Sequence, residues 1–121
     1  MAEDVARRAP EEACGLVAGR QGRSLAVYPV VNSLRSAVRF RMDPHQQVKY
    51  YLEILERGWD LAAIYHSHPQ GPASPSETDL AEAAYPEAVY LIWSFAGNQW
   101  ICKGFRIVQG QSSEVPIAQE V

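Results

Sequence analysis

A chain of 121 residues, 47% hydrophobic and 21% charged, has room for one hydrophobic core and carries too much apolar content to be disordered. Its formal net charge of −3, with no basic run, excludes an electrostatic surface for nucleic acid, and no apolar stretch approaches the roughly 18 residues needed to cross a bilayer. The opening MAEDVARRAPEE lacks an apolar signal region, and two cysteines, Cys14 and Cys102, are too few for a disulfide framework, so a single-domain cytoplasmic protein is expected.

Residues 2–13 are rich in Ala, Glu and Arg and predict a helix. Residues 14–18 form an apolar run closed by Gly19, and residues 20–23, RQGR, are a turn signal. Residues 25–31 and 37–42 alternate and are β-branched, which predicts two strands. Asp43 then caps a helix, Pro44 suits its first position and Gly58 ends it. Within it Val48, Tyr51, Leu52 and Leu55 fall at i, i+3, i+4 and i+7 and predict its buried stripe.

Residues 61–65 are apolar throughout, which suits a strand covered on both faces, and they run straight into His66. Residues 76–84 predict a short helix that stops before Pro86. Residues 89–95 and 100–108 predict two strands joined at Gly97-Asn98. The tail from 112 to 121 is ambiguous, with 115–117 as a candidate last strand. Helices and strands interleave without regular β-α-β alternation, so the fold class is α+β, a mixed sheet flanked by helices.

The stretch HSHPQGPASPSETD, residues 66–79, carries the chemistry. Side chains two apart on a strand share a face, about 6.6 Å apart along it, so His66 and His68 can aim at one point. The following loop can fold Asp79 back onto them. Two imidazoles and a carboxylate suit Zn²⁺ and leave one position for water. Glu11 or Glu12 can supply a general base, and Ser76, three residues before Asp79, can donate a hydroxyl to an oxyanion.

Plainer readings exist for each piece. Ser76 and Asp79 fit a helix cap. His-x-His fits any exposed strand end, and His45 fits a solvated helix start. Glu11 and Glu12 fit a helix surface, and Cys14 a small buried hydrophobe. The combination is what singles the stretch out.

Glu12-Ala13-Cys14-Gly15, then His66-Ser67-His68-Pro69, Ser76 and Asp79 resembles the JAMM (MPN+) metallopeptidase signature, compact prokaryotic type, in residue type and spacing. The resemblance implies a mostly antiparallel MPN/cytidine deaminase-like sheet and one catalytic Zn²⁺ per chain held by His66, His68 and Asp79. It implies Glu12 as the general base on a zinc-bound water and Ser76 as the oxyanion donor; Glu11 matches no catalytic position. It further implies hydrolysis of an amide or isopeptide bond after the Gly-Gly tail of a ubiquitin-like or sulfur-carrier protein. Residues 70–75 and 90–95 are the expected walls of a cleft for that tail.

The family pattern places a strand and a fuller helix ahead of the glutamate motif, whereas eleven residues precede Glu12 here. A missing N-terminal strand and part of the first helix are therefore expected, with a free sheet edge that favours a homodimer. Two competing readings are a non-catalytic MPN-type module that binds a ubiquitin-like partner, and an enzyme with Cys14 as its thiol nucleophile.

Overall fold

A computed structural model describes residues 1–118 of the chain. The elements in order are α1 Ala2–Arg8, β1 Cys14–Arg20, β2 Arg23–Val30, α2 Pro44–Glu56, β3 Asp60–His68, α3 Glu77–Glu82, β4 Val89–Ala96, β5 Gln99–Val108 and β6 Gln111–Val115. They build a six-stranded sheet in the order β2-β1-β3-β4-β5-β6. Only the β3–β4 pair is parallel; the other four pairings are antiparallel. The expected α+β class, a mixed and mostly antiparallel sheet with helices, is the observed one.

β3 lies inside the sheet and is buried from Ala63 through His68, as its apolar run requires. One face packs Val5 of α1 against Val17, Tyr65 and Trp93. The other packs Ile54 of α2 and Leu80 of α3 against Leu16, Ile64 and Ile92. The side chains of β3 alternate between these layers, so His66 and His68 share the α2 and α3 face while Ser67 points to the α1 face. At the β4–β5 hairpin both Gly97 (φ 60°) and Asn98 (φ 64°) are left-handed, the backbone that a tight two-residue hairpin demands.

Four expectations need correction. Residues 37–42 are a loop with one isolated bridge, Asn32 to Met42, because the Asn32 side chain takes up backbone groups that a strand partner would otherwise bind. On α2 it is Ile54, with Tyr50 and Tyr51 beside it, that meets the core, whereas Val48, Leu52 and Leu55 are 59%, 52% and 47% exposed. Of the expected stripe Tyr51 does pack inward, on Tyr85, and Tyr50, outside that stripe, packs on Tyr28.

The first helix ends at Arg8, so Glu12 stands in the extended approach to β1 and not on a helix. The last strand is Gln111–Val115, pairing with β5, in place of 115–117. Of the ambiguous tail, residues 119–121 lie outside the described residues.

Candidate metal centre

β3 ends at His68, and the loop after it turns back at Gly71, whose N–H donates to the His68 carbonyl at 2.8 Å. That turn brings α3 over the strand end. Ser76 is the helix cap: its Oγ accepts from the Asp79 N–H at 3.0 Å, and its own N–H donates to Asp79 Oδ2 at 2.9 Å. The reciprocal box fixes the carboxylate, and it fixes it facing the histidines.

His66 Nε2, His68 Nε2 and Asp79 Oδ2 form a triangle with all three edges 3.1 Å. With both imidazoles neutral, as metal ligands are, protons do not account for it. The Nδ1–H of His68 donates to the Pro72 carbonyl at 2.8 Å, which leaves Nε2 of the neutral ring bare and facing another acceptor. A cation satisfies all three at once. Tetrahedral bonds of about 2.0–2.1 Å would set two donors about 3.3 Å apart, close to what is found. The donors therefore fit a divalent metal and have the chemistry that Zn²⁺ favours.

In the metal-free site the two histidines are shifted in opposite directions, and a proton on His68 does part of the work of a cation. Complete burial lowers the pKa of His66 against the pull of Asp79, keeping the ring neutral as a ligand must be. Burial also opposes protonation of His68, but Asp79 and the Pro72 carbonyl outweigh it and the net shift is upward. Asp79 is pushed up by burial and down by both imidazoles; the imidazoles win, and its carboxyl stays well below the usual range. Among the described residues His66 Nδ1 is buried with no hydrogen-bond partner. Its ring is instead covered by Phe40, stacked at 4.5 Å between centroids and 23° between planes.

Glu12 is 4% exposed, and a carboxylate oxygen lies with nitrogens of His66 and His68 in a group spanning no more than 4.8 Å. Two overlapping triples of donors thus exist. The histidines with Asp79 are the tighter one, and Glu12 stands further off, at the reach of a base that works through water. Burial raises its pKa to about 7, with His68 lowering it and Asp79 raising it. The neighbouring Glu11 is not in this group.

Glu12 is tied to the strand that carries the histidines. The Ala13 N–H donates to Ser67 Oγ at 2.8 Å, and the Ser67 N–H returns to the Ala13 carbonyl at 3.0 Å. Sequence reasoning missed Ser67, Asn32 and Phe40; the letter between two histidines gives no sign that its hydroxyl holds another strand.

One expectation fails here and so does one competing reading, while the plainer reading of Cys14 as a small buried hydrophobe stands. Cys14 is wholly buried, donates to the Val30 carbonyl at 3.4 Å, and burial pushes its thiol up to about 11, so it is no nucleophile. Residues 90–94 are the buried interior of β4, which leaves only Phe95 of the 90–95 segment to face a cleft.

The fold and the donors gathered at the end of β3 define the class: an α+β domain with a buried site that could hold a metal. Residues 1–103 match the family model "Prokaryotic homologs of the JAB domain". The chain is 34% identical to the CysO-cysteine peptidase of Mycobacterium bovis over 89% of its own length and 76% of the relative's. It is 36% identical to the desampylase of Haloferax volcanii (86% and 80%) and 37% to a probable TtuB-protein conjugate cleaving protease of Thermus thermophilus (87% and 68%). A solution structure of a Desulfitobacterium hafniense protein superposes with a TM-score of 0.84 at 34% identity, covering 98% of this chain and 84% of that one.

The chain belongs to the prokaryotic JAB family. It is a peptidase of that type, the JAMM resemblance read from its sequence.

Proposed function

We propose that the chain is a zinc peptidase or isopeptidase that hydrolyses the amide bond following the C-terminal Gly-Gly of a ubiquitin-like or sulfur-carrier protein. The observation that carries the zinc assignment is the 3.1 Å triangle of His66, His68 and Asp79, with Glu12 beside it. The substrate class is supported by relatives named for action on CysO-cysteine and on TtuB-protein conjugates. The two free cysteines suit a reducing compartment, in keeping with a cytoplasmic enzyme.

His66, His68 and Asp79 would hold the ion, which supplies Lewis-acid polarisation of the scissile carbonyl and of the attacking water. Glu12 takes a proton from that water and returns it to the leaving nitrogen, a role its buried carboxylate beside His66 and His68 can fill. Ser76 Oγ accepts the Asp79 N–H as helix cap and keeps its own O–H to donate to the carbonyl oxygen as charge develops there. Capping and catalysis do not compete for the same hydrogen-bonding valence.

The test is to incubate the zinc-loaded protein with Gly-Gly-tailed carrier proteins that bear one further residue or an isopeptide-linked partner. Mass spectrometry should show cleavage after the second glycine, abolished by a chelator and restored by zinc. No cleavage of any such carrier at one zinc per chain would overturn the proposal.

A further inference from the structure

The catalytic glutamate is held by its backbone, and one buried side chain outside the recognised motif organises that backbone. Asn32 is 4% exposed and uses all four of its hydrogen-bonding valences. Its Nδ2 donates to the Glu12 carbonyl and to the Arg39 carbonyl, each at 3.0 Å. Its Oδ1 accepts the N–H groups of Leu34 and Arg41, each at 3.1 Å. Two acceptors on one side and two donors on the other fix which way the amide points.

The partners are what matter. Arg39 and Arg41 flank Phe40, so Asn32 grips the chain on both sides of the ring that covers His66. The same amide grips Glu12, and the loop it organises offers the Ser36 carbonyl to the Glu12 N–H at 2.7 Å. With Ser67 holding Ala13 from the other side, the base is fixed from two directions.

Resting on the reading of Glu12 as the base, we infer that Asn32 is a positioning residue for this site. It sets the Glu12 carboxylate and the Phe40 ring in register with His66. A residue held this way need move only about 1 Å for the rate to fall roughly a hundredfold. Asn32→Asp keeps the size and the accepting oxygen but replaces two donors by an acceptor facing two carbonyls.

The experiment measures single-turnover rate, KM, zinc per chain and melting temperature for Asn32→Asp, Glu12→Gln and the double variant. The substrate is a Gly-Gly-tailed carrier bearing one extra C-terminal residue. Asn32→Asp should lower the rate at least tenfold with KM within twofold and zinc retained. In the Glu12→Gln background it should remove nothing more, because the group it positions is already disabled. In the metal-free protein the His66 ring-proton resonances should shift as Phe40 leaves its stacked position.

A wild-type rate in Asn32→Asp, with Glu12→Gln inactive, would overturn this inference and leave the base assignment standing. An equal loss in both backgrounds, or loss of zinc, would also overturn it, since either marks a merely structural role. Full activity in Glu12→Gln would remove the base assignment and this inference with it. If Asn32→Asp does not fold, Asn32→Ser, which avoids the added charge, is judged by the same readouts.

Discussion

The ring of Tyr65 occupies the space where residue 15 would carry a side chain. A Cβ built on Gly15 would lie 2.4 Å from Tyr65 Cε1 and 2.6 Å from the Tyr28 carbonyl oxygen. The ring is held there, because Tyr65 Oη donates to Asp4 Oδ2 at 2.7 Å and Asp4 is itself paired with Arg8. This glycine, three residues after Glu12, therefore serves β1–β3 packing and the anchoring of α1, not chemistry.

Gly15→Ala should accordingly destabilise the fold by at least about 1–3 kcal/mol, the usual cost of overpacking, since backbone blocks one side and a buried ring the other. Thermal melting checks this, and an unchanged melting temperature would contradict the packing account.

Ser76 separates stability from rate. Ser76→Ala removes the cap of α3 and should cost about 1 kcal/mol. Ser76→Asp restores a capping oxygen but supplies no hydroxyl, so stability should return while turnover stays about 10²–10³-fold down. Recovery of turnover along with stability would assign Ser76 to the helix alone.

Glu12 links metal loading to protons. In the metal-free protein its carboxyl is raised to about 7, so near neutral pH roughly half the molecules carry that proton. A cation alongside favours the charged form and lowers that value, so loading zinc at pH 7 should release protons and affinity should rise with pH across this range. Calorimetry in buffers of different ionisation enthalpy counts them. Glu12→Gln should release fewer while binding zinc as well, and should lose about 10²–10⁴-fold in turnover.

Cys14 should be inert. With its thiol pushed up to about 11 by burial, its thiolate fraction at pH 8 is about a thousandth, rising tenfold per pH unit. Alkylating reagents at pH 8 should leave activity intact while a chelator removes it. The opposite pattern would restore the thiol reading.

Much of this site lies within one continuous stretch, and for that reason it was legible. An all-apolar strand, two histidines on one face, a Gly/Pro-rich loop and a helix cap followed by an acid are local signals that agree with one another. What depends on contacts far apart in the chain was not. Asn32 diverted residues 37–42 from strand to loop through side-chain bonds that leave no periodic trace. The face of α2 was decided by Tyr28 and Tyr85, the partners of its tyrosines. The end of α1 at Arg8 is different, since Pro10 is a local stop signal that the helix expected over 2–13 ran past.

The most direct measurement is anomalous diffraction at the zinc edge from crystals of the zinc-loaded protein. One peak per chain is expected, bonded to His66 Nε2, His68 Nε2 and Asp79 Oδ2, with the Glu12 carboxylate nearby and not bonded to it. A peak that takes Glu12 as a ligand in place of Asp79, with Asp79 bonded only to Ser76, would contradict the account.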